Sequence, residues 1–376
     1  MNKANSGSGI GCKLVILILS IPALILLSEI ILTIIPLNTF FENRFFLVNR
    51  ALDYPEIFRK DPRLFWRFRP SQDITSRFFE GETIRINSHG LRGEEIPLKS
   101  DKIRIAALGN SCTFGWGVTE DQTYVRLLEK MINNDDSLPR VEVINAGIPG
   151  YSTFQGRRFF VSDIARLQPD IVMMMFGWND QWAAAENIAD KDQKLPSESI
   201  IKLQNSVSRL KIYRLLRKVI LWITEKPLEK ALVRTERPVY RVAFVDFYQN
   251  LMVIFKFAHA EGMRLMILTS PIPSLEVYYP AGFQSPMHEY HETYNMQARL
   301  LARNSKSPLI NLTSIFDQHN DLFDDAIRDP IHFNAKGHHV IAEAIYRHFK
   351  EHPELLVSGD EIEPEPSPLR PGPKRN

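Results

Sequence analysis

Five short apolar runs interleaved with stretches of helical patterning constrain this chain more than any other feature. The runs are Ile103–Leu108, Val141–Asn145, Asp170–Phe176, Met263–Thr269 and Pro308–Leu312. Runs of this length read as strands, and strands without polar alternation are buried on both faces. Asp121–Asn134, Thr153–Leu167, Pro238–Glu261 and Ala335–Phe349 carry apolar residues at helical spacing. Strands separated by helices predict an α/β domain with a parallel sheet covered on both faces.

The residues that can carry chemistry fall just past these strands. Gly109-Asn110-Ser111 follows the first and Asn145-Ala146-Gly147-Ile148-Pro149-Gly150 the second. Phe176-Gly177-Trp178-Asn179-Asp180 follows the third, and Asp329-Pro330-Ile331-His332 stands just before the last helix. In a doubly wound sheet the C-terminal strand ends converge on one rim. A serine, a glycine amide, an asparagine amide and an Asp/His pair can meet there, as acyl transfer requires. A serine hydroxyl is a weak nucleophile until a base takes its proton, the part expected of His332. Asp329, three residues earlier, is placed to accept the other imidazole N–H. The Ser111 N–H, the Gly147 N–H and the Asn179 side-chain amide are the candidate oxyanion donors.

Singly, each of these residues has a plainer reading. Ser and Gly are common in turns, Asn179-Asp180 can cap a helix, and Asp329-Pro330 opens turns. His332 is one of ten histidines. Their order and their placement at successive strand ends favour the catalytic reading. Cys112 is a rival nucleophile, expected to point away from the rim. His288 and His291 are spaced to share a helix face, but a solvated face explains them as well. No Cys/His spacing resembles a zinc site, so neither metal nor cofactor is expected. His89 reads as a turn residue, and His338-His339 as packing in or near the closing helix.

With Ser111, Gly147, Asn179 and His332 in these four blocks, and Asp329 completing the D-x-x-H of the last, the chain resembles the SGNH hydrolases, also called GDSL-type esterases and lipases. The resemblance covers about residues 102–350. It implies a three-layer α/β/α sandwich with a flavodoxin-like, five-stranded parallel sheet. The chain departs from the family at Asn110, where Asp is common, a position that is not itself catalytic. The N-terminal apolar run together with Ile86–Gly93 looks like membrane-anchored bacterial members.

Outside that region, residues 1–13 form a short polar tail, expected to be cytoplasmic, and Leu14–Ile35 is almost wholly apolar. About 20 such residues span a bilayer as a helix. No small-x-small site follows, so an uncleaved signal anchor over residues 14–36 is expected rather than a cleaved signal peptide. Pro22 and Glu29 interrupt it. Lys3 and Lys13 precede the run and Arg44, Arg50, Arg59 and Lys60 follow it, so charge leaves its orientation open. The short leading tail places the large domain outside the cytoplasm, on a single-pass membrane protein. Residues 37–101 read as a juxtamembrane region with small strands, Glu82–Asn87 being half-buried. Phe65-Trp66-Arg67-Phe68 either lies on the membrane or, the preferred reading, packs on the domain as a strand. The hydrolase domain is expected over residues 102–350, with a helical insertion at 181–260. Within it, Ser199–Leu232 is basic and amphipathic, either solvated or on a membrane surface. Residues 351–376 are Pro-rich and expected to be disordered.

A net charge of +2 gives no electrostatic case for nucleic acid. The expectation is a serine esterase working through an acyl-enzyme. Trp116 and Trp178 sit beside Ser111 and Asn179, where they either contact substrate or pack beneath the loops. Flat aromatic faces suit sugars, no long apolar run near the rim suggests a tunnel for a fatty chain, and the resemblance admits carbohydrate acetyl esters. With the domain anchored outward, the expected partner is therefore an ester of a short acyl group, acetyl, on envelope carbohydrate. The alternatives are an O-acyltransferase using the same triad on a glycan acceptor, a lipase or lysophospholipase, and a membrane-tethered glycan-binding domain without activity.

Overall fold

The computed structural model describes residues 8–35, 54–76, 79, 81–99, 101–184, 187–224, 239–273, 286–327 and 329–356. The described residues fall into two compact units. One is drawn from Met1–Pro62 and Pro196–Glu236, the other from Arg63–Leu195 and Arg237–Asn376.

The larger unit is built on the sheet the apolar runs predict. Its strands are β1 (Ile103–Gly109), β2 (Val141–Gly147), β3 (Ile171–Met175), β4 (Arg264–Leu268) and β5 (Leu309–Ile310). All neighbours pair in parallel, in the order β2-β1-β3-β4-β5. That is the flavodoxin-like order, with the switch point beside β1. Gly109 lies opposite both Gly147 and Met175, so three strands end at one level. β1 and β3 are buried along their whole length. They sit between other strands and under helices, which leaves no wet face to call for polar alternation.

The helices of this unit are α1 (Ser111–Phe114), α2 (Tyr124–Asn133), α3 (Thr153–Ser162), α4 (Phe244–Ala260), α5 (Pro286–Ser305), α6 (Leu312–Phe316) and α7 (Ala335–Glu351). Tyr124, Val125, Leu128 and Ile132 make one apolar stripe on α2. With Ile341, Ala342, Ile345 and Phe349 of α7 they cover Ile103, Ile105, Ala107, Val141, Val143 and Met173 of the sheet. α3 packs on α4, which packs in turn on α5 and β4. The architecture is the expected sheet flanked by helices.

Helix boundaries moved where another hydrogen bond competed. The pattern from Asp121 divides into a 3-10 turn, Glu120–Gln122, and α2, because Thr123 is extended and caps α2 through its side chain. The pattern from Pro238 becomes helical only at Phe244. Ahead of it, Arg241 and Val242 give their N–H groups to Trp182 O and Asp180 O at 2.8 and 3.1 Å.

The described residues from 63 to 99 belong to the larger unit rather than standing apart as a juxtamembrane segment, because Phe65, Trp66, Phe68 and Phe79 are buried inside it. Phe65, Trp66 and Phe68 are all buried, which leaves no membrane-surface face on this strand. Trp66 Nε1–H donates to Pro149 O (3.2 Å), Tyr151 Oη–H donates to Trp66 O (2.6 Å), and Phe68 stacks on Phe114 at 5.4 Å. Gln72–Thr75 and Thr83–Ile86 pair antiparallel.

In the smaller unit, residues 8–34 form one helix with Pro22 inside it. Its side chains are described from Ser20 onward, and among the described residues no helix is long and apolar enough to cross a membrane. The basic amphipathic stretch forms two helices, Glu198–Val207 and Lys211–Thr224, and continues beyond the described residues. The Glu29 carboxylate accepts the Ile212 N–H at 2.9 Å, at the start of the second helix. That contact gives the one acid of the apolar run a partner. The tail expected before residue 8, residues 36–53 and the Pro-rich stretch from residue 357 lie outside the described residues.

Candidate active site

The site begins at Gly109, where a Cβ would lie 2.1 Å from Thr113 Oγ1, so the chain turns there without a side chain. Asn110 is extended (φ −104°) and its side chain accepts the Cys112 N–H at 2.9 Å, capping α1. Asn caps as well as Asp does, so the departure at this position leaves the turn intact. α1 is a single turn, too short to be stable by itself. A buried arginine takes carbonyls at the C-terminal end of α1 and in the turn that follows: Arg92 donates to Phe114 O, Gly115 O and Val118 O at 3.0, 2.5 and 2.7 Å. Burial lowers the Arg92 pKa to about 10, against the opposing charges of Glu120 and Glu82.

α1 presents Ser111, itself only 8% exposed. The Ser111 Oγ–H points at His332 Nε2, 2.8 Å away, and His332 Nδ1–H donates to Asp329 Oδ2 at 2.7 Å. The Asp329 Oδ1 accepts the backbone N–H groups of Ile331 and His332 at 3.1 and 3.2 Å. Burial raises the Asp329 pKa, but the His332 bond and charge and the two backbone N–H groups outweigh it, so it falls below the usual carboxylate value. An ionised, doubly anchored Asp329 fixes one imidazole tautomer, which leaves Nε2 as an acceptor for the serine proton. Trp116 is half-buried and lies along the His332 ring, centroids 5.5 Å apart at 23°, with Phe79 against the indole at 5.4 Å.

Of the candidate oxyanion donors, one is already engaged. The Ser111 N–H lies in the first turn of α1, where backbone N–H groups have no intrahelical acceptor. The Asn179 amide gives one N–H to Tyr151 O at 3.1 Å, and its other N–H has no partner among the described residues. The Gly147 N–H is already spent on Asn145 Oδ1 at 3.1 Å. Gly147 serves close packing instead: a Cβ there would lie 2.2 Å from Phe114 N and 2.7 Å from Thr113 C. The available glycine amide is that of Gly150, whose N–H has no hydrogen-bond partner among the described residues. Its loop is tied to the serine turn by Ile148 N–H on Gly109 O (3.1 Å) and to Asn179 through Tyr151 O. Gly150 has φ +81°, which only glycine adopts cheaply.

The remaining sequence candidates are structural. Trp178 is fully buried, its Nε1–H donates to Pro271 O (3.1 Å), and its ring lies 4.2 Å from that of His291. It therefore packs beneath the loop and cannot touch substrate. Cys112 is buried against Ile331 O, and burial together with the Asp329 charge pushes its thiol far above the ordinary value, so it holds no thiolate. His291 is buried on Ser270 O at 2.8 Å with its pKa lowered to about 4 by burial, while His288 meets Pro273 O. Among the described residues no group of three or more His, Cys, Asp or Glu could hold a metal ion. His338 accepts the Tyr124 N–H at 3.2 Å, and burial lowers its pKa to about 3.

Sequence reasoning passed over Arg92, Gly150, Asp190 and Arg241. A buried arginine carries no sequence signal that separates it from a surface one. Gly150 had one: it lies in the same small-residue turn as Gly147, with Pro149 before it.

The model of the GDSL-like Lipase/Acylhydrolase family matches residues 107–340. No curated protein matches the chain. Solved structures similar to it include the lipase/acylhydrolase from Enterococcus faecalis, at 19% identity over 66% of this chain and 96% of that one, TM-score 0.43. LAE5, an α/β hydrolase enzyme from the metagenome of Lake Arreo, Spain, is similar at 20% identity over 69% and 99%, TM-score 0.43. Axe2, an acetylxylan esterase from Geobacillus stearothermophilus, is similar at 16% identity over 67% and 95%, TM-score 0.41.

Proposed function

The chain belongs to the GDSL-like lipase/acylhydrolase family and is an ester-cleaving hydrolase, and from that premise we propose that Ser111, His332 and Asp329 cleave the ester through an acyl-enzyme. The observation that carries this reading is the unbroken relay from Ser111 Oγ through His332 to Asp329, at 2.8 and 2.7 Å. His332 takes the serine proton as Oγ attacks the ester carbonyl, and returns it to the departing alcohol. Asp329 holds the tautomer and stabilises the imidazolium that forms. The Ser111 and Gly150 N–H groups and the Asn179 amide receive the oxyanion. Water, activated by the same histidine, then releases the acyl group.

Ser111→Ala removes nearly all cleavage of 4-nitrophenyl acetate, and Cys112→Ala retains most of it. A serine-directed organophosphonate labels the peptide that contains Ser111; label on Cys112 refutes the assignment.

The substrate reading is a short acyl group, acetyl, on a carbohydrate. Trp116 supports it, since its half-buried indole stacks along the His332 ring and so brings an aromatic side chain to the reacting centre. Along a series of nitrophenyl esters, kcat/KM falls once the acyl chain exceeds about four carbons, whereas each methylene that found a pocket would add roughly 0.8 kcal/mol. A rate that climbs to long chains points to a lipase, and acyl transfer to an added oligosaccharide points to a transferase. The apolar run Leu14–Ile35 supports a single-pass anchor with the hydrolase outside the cytoplasm. Labelling of an engineered surface cysteine by an impermeant reagent in intact cells checks the side.

A further inference from the structure

The excursion between β3 and β4 sends a buried ion pair to the back of the oxyanion loop. Arg241 is 4% and Asp190 2% exposed. Arg241 Nε–H and Nη2–H donate to the two Asp190 oxygens at 3.1 and 2.8 Å. The guanidinium has donors left over, and all of those described go to one short segment. Nη1–H reaches Gly150 O at 2.8 Å, and Nη2–H also reaches Gln155 Oε1 at 2.7 Å. Asp190 Oδ2 accepts the Ser152 hydroxyl at 2.6 Å. Gln155 Oε1 in turn accepts the Ser152 N–H at 3.2 Å, and Tyr151 O accepts the Asn179 amide at 3.1 Å. The pair therefore grips residues 150–155 at three points, on both sides of the residue that holds Asn179.

A buried ion pair is a poor device for stability alone, since apolar residues of the same volume often do as well or better. What hydrocarbon cannot do is donate to a carbonyl. Gly150 sits at φ +81° with no side chain to lock it. Trp66 holds the peptide plane that carries its N–H, through Pro149 O, and Arg241 holds the next plane, through Gly150 O, so that together they fix the turn a free glycine would leave loose.

We propose that Arg241, oriented by Asp190, is a positioning residue that fixes Gly150 and, through Tyr151, Asn179 in the geometry that receives the oxyanion. This rests on the serine-esterase reading above. The excursion thereby gains a role, since its two ends, near Asp190 and Arg241, brace the site from behind. The backbone joins them directly, Asp190 N–H donating to Arg241 O at 2.8 Å.

The test compares full-length Arg241→Lys and the double variant Arg241→Met/Asp190→Leu with the wild type on 4-nitrophenyl acetate. Lysine keeps a charge for Asp190 but lacks the second branch that reaches Gly150 O. Its kcat falls about 100-fold, the order of loss for a misplaced oxyanion donor, while KM stays within about twofold. The acid limb of the pH profile keeps its midpoint, because the Ser111–His332–Asp329 relay is untouched. The double variant replaces the pair with hydrocarbon and leaves Gly150 O, Gln155 Oε1 and the Ser152 hydroxyl without these partners, so it melts below the wild type, and where it stays folded it keeps the low kcat. Wild-type kcat in either folded variant overturns the proposal, as does a loss that appears in KM instead. Should the double variant not fold, Arg241→Lys alone decides, by the same split. Activity retained in Ser111→Ala would instead overturn the assignment of Ser111 as nucleophile, whatever Arg241 does.

Discussion

Gly147→Ala tests whether this glycine is there for its amide or for its lack of a side chain. The added methyl would lie 2.2 Å from Phe114 N, 2.7 Å from Thr113 C and 2.8 Å from Phe114 Cα. Ordinary contact begins near ~3.5 Å, so α1 must retreat by about 1 Å. All three atoms are main chain, and none can swing aside as a side-chain tip would. Overpacking of this kind costs about 1–3 kcal/mol, and the upper end applies where backbone must move. With an m-value near 3 kcal/mol/M, reasonable for a unit of this size, the urea midpoint drops by about 1 M. Because α1 carries Ser111, the same retreat stretches the 2.8 Å contact to His332. A misplacement of about 1 Å costs on the order of 100-fold in rate. Urea unfolding followed by tryptophan fluorescence, with kcat on 4-nitrophenyl acetate, measures both effects. A midpoint within about 0.2 M of wild type would falsify the packing argument. Lost activity at unchanged stability would do the same, since alanine keeps the N–H and the added methyl would then be acting on the site without the packing cost.

Asp329→Asn folds normally but loses about 10⁴-fold in kcat, since the amide favours the wrong tautomer of His332; an unchanged rate shows that another group orients the ring. Trp178→Ala costs about 3–5 kcal/mol as a core cavity, whereas Trp116→Ala changes stability little and lowers kcat by releasing one face of His332; equal melting losses in the two contradict this division. His291 and His338 are buried neutral, with pKa values of about 4 and about 3. Unfolded, each titrates near ~6.5, so the unfolded state binds the extra protons and stability is lost as pH falls from about 6.5 toward 4. An unfolding midpoint that stays level between pH 7 and 5 refutes it.

The sheet was legible because β1 to β4 are buried on both faces and so appear as apolar runs. β5 spans only Leu309–Ile310, yet the run around it located it. Ser111, Asn179, Asp329 and His332 were legible for a related reason. Ser111 and Asn179 follow the ends of β1 and β3, which parallel pairing brings to one rim, and Asp329 and His332 stand just before the closing helix α7. What the sequence concealed was direction. Gly147 and Gly150 share one turn, and only the hydrogen bond from Gly147 to Asn145 shows which N–H is already taken. Trp116 and Trp178 are equally close to the site in sequence, but one ring lies along His332 and the other turns inward to Pro271. Arg92 and Arg241 look like surface charges until the backbone carbonyls they serve are known.

The arginine that finishes α1 has a consequence for where this protein can be cut. Kinship with other hydrolases begins at residue 107, whereas the compact unit draws on the chain from Arg63. A fragment trimmed to the region of likeness would lose Arg92, and with it the donors to Phe114 O, Gly115 O and Val118 O. It would also lose Trp66 and Phe68, uncovering Tyr151 and Phe114. Ancestry and self-sufficiency thus have different borders here. Trp66, Phe68 and Arg92 complete the packing around α1 and the loop after β2, so the shortest gene segment expected to make a working enzyme is longer than the segment the family model matches.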